Sequence, residues 1–313
     1  MTSREVTGSR RTVIKGLAGA GVWLAVGAPE AQQPASDRPP IRRAIPSSGE
    51  QISVIGLGTY RAFDIGSDAA EREQLKPVLR EFVNAGGKLI DSSPMYGSAE
   101  TVVGDISAEL GLRKPLFLAT KVWTSGKASG IRQMEESFSR MRTGVMDLMQ
   151  IHNLVDWNSH TATLQDWKQR GRVRYIGITH YHEGAYDDLE RLIKTRNYDF
   201  VQLNYSIAER DAERSVLPLA QQLGVAVIAN RPFTQANLFS KVRGKQLPEW
   251  AEEFDCNSWA QFFLKYIVSH PAVTCAIPAT SKLAHLKDNM RAGYGKLPDN
   301  RSRQKMAQLI DEL

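Results

Sequence analysis

A regular alternation of short apolar segments and amphipathic segments constrains the fold of this chain more than any other feature. Eight apolar segments of strand length lie between residues 54 and 278, separated by stretches whose apolar residues have helical spacing. Consecutive strand starts are roughly thirty residues apart, which is the size of one strand-helix crossover unit. This alternation predicts a parallel sheet of the α/β class, and eight such units predict a closed (β/α)8 TIM barrel.

The predicted barrel is preceded by a hairpin and interrupted by one long connection. Residues 42–45 and 51–55 are joined by Pro-Ser-Ser-Gly, which predicts an N-terminal β-hairpin. Gly56-Leu57-Gly58 lacks the third glycine of the Gly-x-Gly-x-x-Gly motif with which open Rossmann sheets bind dinucleotides. The motif therefore does not indicate an open Rossmann sheet. We expect residues 231–255, the longest connection, to lie over the active-site face. The predicted strands are 54–58, 88–91, 116–121, 145–152, 173–179, 200–204, 225–229 and 273–278.

The first forty residues differ from the rest. Arg10-Arg11 precedes residues 16–28, an uncharged run too short to cross a bilayer comfortably. A basic flank followed by a short apolar run is typical of an export signal, and the paired arginine resembles a twin-arginine (Tat) signal. We therefore predict a signal peptide at 1–31, a linker at 32–40 and a barrel at 41–313. The predicted partner in export is the Tat machinery, and the predicted location is the periplasm. The signal is either cleaved near Ala31 or kept as a membrane anchor.

Composition narrows the class of protein. Hydrophobic residues make up 42% of the chain and charged residues 24%, as in soluble globular proteins. The net charge of +6 is dispersed rather than gathered in a stripe, so no nucleic-acid partner is predicted. Cys256 and Cys275 are the only cysteines, which excludes a disulfide scaffold, and both are predicted to be free thiols.

Four chemically active residues fall at or just after the ends of predicted strands. They are Asp91, Tyr96, Lys121 and His152. In a barrel these strand ends meet on one face, so we expect the four side chains to lie together. A tyrosine keeps its proton at neutral pH, and a neighbouring ammonium lowers the phenol pKa. The set predicts a proton donor for a developing alkoxide, hence carbonyl reduction with hydride from a nicotinamide. No metal site is predicted.

Several motifs in this order resemble those of the aldo/keto reductase family. They are Gly56-Leu57-Gly58-Thr59-Tyr60, Leu89-Ile90-Asp91-Ser92-Ser93-Pro94-Met95-Tyr96-Gly97, Ala119-Thr120-Lys121-Val122-Trp123, Leu148-Met149-Gln150-Ile151-His152-Asn153, Val201-Gln202-Leu203-Asn204-Tyr205 and Ile277-Pro278. The resemblance implies that Tyr96 is the general acid and that Lys121 and Asp91 tune it. It also implies that His152 orients the carbonyl or shares in proton delivery, and that the protein is a monomer.

The resemblance also implies a cofactor site, with NADP(H) preferred and NAD(H) possible. Thr179 and His180 stand where the family holds the nicotinamide amide, and Gln202 stands under the ring. Asn230-Arg231 replaces the usual aromatic residue and serine, so stacking on the nicotinamide is lost there and Arg231 is a candidate phosphate ligand. The adenosine half is assigned to Thr280, Ser281, Lys282, His285, Asp288 and Asn289.

The substrate is expected to be a small carbonyl compound in an aromatic and apolar pocket. Candidate wall residues are Tyr60, Met95, Trp123 and Trp157. Two other functions remain open at this point. One is a nicotinamide-binding regulatory or sensor barrel with little turnover, and the other is a metabolite-modifying barrel that uses no nicotinamide.

Overall fold

The computed structural model describes residues 39–313 of the chain. The predicted signal peptide and most of the predicted linker lie outside the described residues. The described part opens with the predicted hairpin, in which β1 (Arg42–Ala44) pairs antiparallel with β2 (Gln51–Ser53). Ile45 and Ile52 are fully buried and belong to the same interior cluster as Leu89, at the start of a barrel strand. The hairpin therefore closes the barrel at the amino ends of the strands, opposite to the carboxyl ends where the predicted catalytic residues lie.

Eight parallel strands follow and confirm the predicted barrel. Each of the eight strands pairs with its neighbours in chain order. The first and last strands meet through two isolated bridges, Ile55 with Ala276 and Gly58 with Ala279. The strands are β3 (Leu57–Gly58), β4 (Leu89–Asp91), β5 (Phe117–Val122), β6 (Met146–His152), β7 (Val173–Thr179), β8 (Phe200–Asn204), β9 (Ala226–Asn230) and β10 (Val273–Ala276).

The glycines of the first strand permit this closure. A Cβ added to Gly56 would lie 2.8 Å from the Leu89 carbonyl oxygen, and one added to Gly58 would lie 2.8 Å from that of Ile277. Real Cβ atoms do not approach backbone so closely, so a side chain at either position would push neighbouring strands apart. The Gly-Leu-Gly motif thus serves close strand packing, and it does not form a turn.

Ten α-helices surround the described strands. The first shows how the sequence specifies them: Asp68 caps it by accepting from the Glu71 amide at 2.9 Å. Its buried residues include Leu75, Val78, Leu79 and Phe82, which follow the predicted helical spacing. The helices are α1 (Ala69–Asn84), α2 (Ala99–Glu109), α3 (Lys127–Arg140), α4 (Trp157–Gln169), α5 (Tyr186–Lys194), α6 (Val216–Leu223), α7 (Asn237–Lys241), α8 (Trp259–Val268), α9 (Leu283–Arg291) and α10 (Asn300–Glu312).

The core has two parts, one inside the barrel and one between the strands and the helices. Cys275 belongs to the inner part and Cys256 to the outer part, and both are buried free thiols as predicted. None of the helices between residues 39 and 313 is both long and apolar enough to cross a membrane.

Candidate active site

The structure brings the four predicted catalytic residues together. Asp91 ends β4, Lys121 lies near the end of β5 and His152 ends β6, while Tyr96 lies in the loop after β4. The Lys121 ammonium donates to Asp91 Oδ2 at 2.7 Å and lies 5.0 Å from the centre of the Tyr96 ring. The Tyr96 and His152 rings are 5.9 Å apart, edge to face. The juxtaposition expected from the strand ends is therefore present.

Burial controls the charges in this cluster. The Lys121 side chain is fully buried, which disfavours its charge, but Asp91 and Tyr96 outweigh burial and raise its pKa. Burial raises the pKa of Tyr96 and outweighs the lowering by Lys121. The expectation that lysine would bring the phenol pKa below its ordinary value is therefore wrong. Tyr96 carries its proton across the physiological range.

His152 is electrically neutral. Burial, assisted by Lys121 and His180, lowers its pKa to about 2. A neutral imidazole has one N–H group that can donate a hydrogen bond and one nitrogen that can accept one. It is not an imidazolium, so it does not act as an acid that transfers a proton near neutral pH. Of the two roles that the sequence left open for His152, the structure thus favours orienting the carbonyl.

A second layer of polar side chains holds Asp91. Its Oδ1 accepts from Gln202 Nε2 at 2.9 Å and from Gln150 Nε2 at 3.2 Å. Gln202 in turn accepts from the Thr179 hydroxyl at 2.9 Å. Gln150 was not among the predicted site residues. Its position two residues before His152 on one strand was the available signal, because residues i and i+2 of a strand face the same side.

A cavity of about 1120 Å³ extends from this cluster across the strand ends. Most of the predicted residues line it. Those from the predicted set are Tyr60, Asp91, Met95, Tyr96, Trp123, His152, Thr179, Gln202, Asn230, Arg231, Thr280, His285, Asp288 and Asn289. The volume lies above the range of about 300–1,000 Å³ of ordinary small-molecule sites, which leaves room for a dinucleotide and a substrate together.

The long connection 231–255 covers part of the cavity, as predicted. Phe233, Gln235 and Phe239 from this segment line the cavity. These three residues were not among the predicted site residues, although aromatic residues in a long loop over the strand ends were a usable signal. The loop backbone is unusual, since Arg231, Thr234, Gln235 and Ala236 all have positive φ. Non-glycine residues with positive φ have a strained backbone, and such strain is common at functional sites.

Two buried polar atoms in the cavity wall make no hydrogen bond to the residues that the structure describes. Asn230 Oδ1 and Arg231 Nε are buried without a hydrogen bond within the described part of the chain. Arg231 donates from another nitrogen to the Tyr181 carbonyl oxygen at 3.2 Å. Unsatisfied buried polar atoms cost free energy, so atoms of this kind at a cavity surface favour a polar ligand. The observation fits a phosphate-bearing cofactor at this position.

Helix α9 and the residues before it form part of the cavity wall. Asp288 is held in place, because Gln261 Nε2 and the Ser258 hydroxyl donate to its two oxygens at 2.6 and 2.8 Å. Asn289 is buried beside it. Thr280 lies just before the helix start, where free backbone amides favour an anion.

Four of the residues predicted to bind cofactor or substrate do not line the cavity. Trp157 is the first residue of α4, and its ring lies 5.3 Å from the Arg191 guanidinium. His180 stacks on Tyr181 with ring centres 5.5 Å apart. Ser281 and Lys282 are exposed at the start of α9, outside the cavity lining. All four residues have the expected place in the sequence. Two of the side chains pack against neighbouring side chains, and the other two are exposed to solvent.

Comparisons with known proteins agree with this geometry. The model of the Aldo/keto reductase family matches residues 54–304. Methylglyoxal reductase YeaE of Escherichia coli (strain K12) is 29% identical over 257 residues, covering 79% of this chain and 88% of that protein. An aldo/keto reductase from Klebsiella pneumoniae, solved in complex with NADP and acetate, has a TM-score of 0.71 at 26% identity and covers 87% of this chain and 95% of its own. The family match spans all eight barrel strands.

Proposed function

Because the chain belongs to the aldo/keto reductase family, we propose that it reduces a small aldehyde or ketone to the alcohol with NADPH, Tyr96 supplying the proton. The observation that carries the proposal is the buried Lys121–Asp91 pair beside Tyr96 and His152 at the wall of one large cavity. Because one relative is a methylglyoxal reductase, 2-oxoaldehydes are the first substrates to test.

The chain's own residues divide the work of the reaction. A reduced nicotinamide, when bound, supplies the hydride to the carbonyl carbon. Tyr96 gives its proton to the carbonyl oxygen as negative charge develops there. Lys121 stabilises the phenolate left behind, and Asp91 keeps the ammonium charged and in place. His152 donates a hydrogen bond to the same oxygen and orients it. Tyr60, Met95 and Trp123 line the cavity and offer apolar surface to the substrate.

The residues present fit a phosphorylated dinucleotide. Thr179 and Gln202 lie at the catalytic end of the cavity, where an amide group would meet them. Arg231, whose Nε makes no hydrogen bond to the residues that the structure describes, also lines the cavity, as do Thr280, Asp288 and Asn289. The structural relative from Klebsiella pneumoniae was solved with NADP, which supports the preference for NADP(H) over NAD(H).

The proposed function is tested by fluorescence titration with NADPH and NADH, followed by steady-state turnover with a panel of aldehydes, ketones and 2-oxoaldehydes. Sustained NADPH oxidation that depends on the carbonyl compound supports a reductase. Tight NADPH binding without turnover on any member of the panel would instead support the sensor function. Failure to bind either nucleotide would overturn both.

Arg231 is expected to bind a cofactor phosphate more strongly than Lys282, because Arg231 lines the cavity and Lys282 does not. Arg231→Ala should weaken NADPH binding by about 1–3 kcal/mol, the range for hydrogen bonds to charged groups. Lys282→Ala should change it little, as should the control Lys287→Ala on the exposed side of α9. Titration of each variant with NADPH and NADH measures this. Equal losses for the two nucleotides would show that Arg231 does not recognise the 2′-phosphate.

We further propose that the protein is exported through the Tat pathway to the periplasm, folded and with its cofactor bound. One support is the Arg10-Arg11 pair before a short uncharged run. The other is that the dinucleotide which the proposed function requires is available in the cytoplasm. A route that exports folded proteins can carry a bound cofactor, whereas a threading route would release it. A monomer is the simplest state compatible with such export.

Replacing both Arg10 and Arg11 by Lys should leave active protein in the cytoplasm, because the receptor for this signal recognises the arginine pair. Cell fractionation with activity assays measures the distribution, and nucleotide extraction from the exported wild type measures its cofactor content. The Arg42→Lys variant, in the hairpin, is the matched control. Unchanged export of the double variant would contradict the signal assignment. Exported protein without nucleotide would contradict only the carried-cofactor proposal.

A further inference from the structure

Ser93 is a buried residue next to the catalytic cluster with no role in the reaction as described so far. It is fully buried, and its Oγ lies 2.9 Å from Nδ1 of His152. The backbone amide of Met95 donates to the same Oγ at 3.4 Å. The hydroxyl is therefore placed between the loop that carries Tyr96 and the imidazole of His152.

The direction of the hydrogen bond to His152 follows from counting donors and acceptors. A serine hydroxyl has one proton to donate. Among residues 39–313, His152 Nδ1 is the one acceptor within reach of Ser93 Oγ, and that oxygen already accepts from Met95. A buried hydroxyl that donated to nothing would lose hydrogen-bond energy. The proton of Ser93 therefore points to Nδ1, which must be the unprotonated nitrogen of the ring.

The remaining nitrogen of His152 then carries the ring proton. His152 is buried against Lys121, so the neutral imidazole is favoured and has a single N–H. With Nδ1 accepting, that N–H is at Nε2. Nε2 makes no hydrogen bond to the described residues, and His152 lines the cavity. The opposite tautomer would present a lone pair to the carbonyl oxygen and would repel it.

We propose that Ser93 is a positioning residue that holds His152 in the Nε2–H tautomer, so that a hydrogen-bond donor faces the substrate carbonyl beside Tyr96. The role of this donor toward a carbonyl rests on the proposed function, whereas the tautomer itself does not. The segment 91–96 thereby provides the Lys121 partner, the His152 partner and the proton donor from the end of β4 and the short loop after it.

Nitrogen-15 NMR of protein labelled at histidine tests the tautomer directly. The chain has six histidines, so the His152 signals are assigned by their loss in His152→Gln. In the wild type we expect a protonated Nε2 and an unprotonated, hydrogen-bonded Nδ1 from about pH 5 to about pH 8, since an imidazole shielded by burial and a nearby ammonium stays neutral there. A protonated Nδ1 in the wild-type spectrum would overturn the proposal whether or not the protein turns over any substrate.

The Ser93→Ala variant tests the role of the hydroxyl. We expect mixed His152 tautomers and a fall in kcat of about tenfold or more, the effect of one lost hydrogen bond of roughly 1.4 kcal/mol, with unchanged NADPH affinity. Ser93→Thr, which keeps a hydroxyl, should restore the wild-type tautomer signature. Ser107→Ala is the control, since Ser107 is also buried but donates to Gly104 in α2. A wild-type tautomer in Ser93→Ala would overturn the proposal.

Discussion

Tyr96→Phe is expected to lower carbonyl reduction by about 10²-fold or more, which is the scale of general acid catalysis. The substitution removes the hydroxyl and leaves the ring, which lies 5.0 Å from the Tyr60 ring and 5.9 Å from His152. The fold and the cavity should therefore be preserved. Stopped-flow and steady-state measurements of NADPH oxidation give the turnover, and fluorescence titration gives the cofactor affinity.

A matched control separates the catalytic hydroxyl from the general loss of a buried phenol. Tyr198→Phe removes a buried hydroxyl that is hydrogen-bonded to Thr161 on α4 and lies outside the cavity lining. Tyr198→Phe should have a somewhat lower free energy of unfolding than the wild type but the same turnover. Wild-type turnover in Tyr96→Phe would remove Tyr96 from the role of proton donor. Loss of NADPH binding in the same variant would show that its defect is in the cofactor site.

Lys121→Met is expected to be the most destabilising substitution in the site and to abolish most of the turnover. The Lys121 and Asp91 side chains are 0% and 3% exposed, and the 2.7 Å bond between them is their only ion pair within the described residues. Removing one partner of a buried pair typically costs about 3–5 kcal/mol, because the other charge is left without a partner. Chemical denaturation measures the free energy of unfolding, and NADPH oxidation measures the activity.

A double variant that combines Asp91→Asn with Lys121→Met makes this prediction specific. It removes both charges, so it should recover most of the free energy of unfolding lost in Lys121→Met but none of the activity. Gln150 and Gln202 can still hydrogen-bond to the side-chain amide oxygen that the substitution leaves at position 91 in place of the carboxylate. A double variant no more stable than the single one would contradict the uncompensated-charge explanation. Recovery of turnover would contradict a catalytic role for the pair.

The barrel was predictable because its signals are local. Strand segments such as 173–179 and 200–204 were predicted with the observed bounds, since strands buried on both faces are rich in apolar residues. The first strand was predicted as 54–58 but pairs regularly only at Leu57–Gly58. The amphipathic segment that follows 200–204 is an α-helix only from Val216, because residues Asp211–Arg214 form a 3₁₀ turn. Helix α7 was not predicted, since a five-residue helix is shorter than any periodic pattern can reveal.

The meeting of the four candidate catalytic residues was predictable for a different reason. Parallel strands place their carboxyl ends on one face of a barrel, so Asp91, Lys121 and His152 had to meet once the strands were identified. Trp157 and His180 met the same criterion of position but do not line the cavity. Position along a strand indicates which end of the barrel a residue occupies, but the direction of a loop side chain depends on its neighbours.

Sequence alone determined the class of fold, the order of the strands and which candidate catalytic groups lie at the strand ends. Tertiary structure decided their state. Burial keeps Tyr96 and His152 neutral, and burial depends on atoms from several strands that no local pattern specifies. Ser93 is likewise recognisable only from its contact with His152, 59 residues along the chain. Hydrogen bonds and desolvation act over a few ångströms in space, and only the folded chain brings those atoms within that distance.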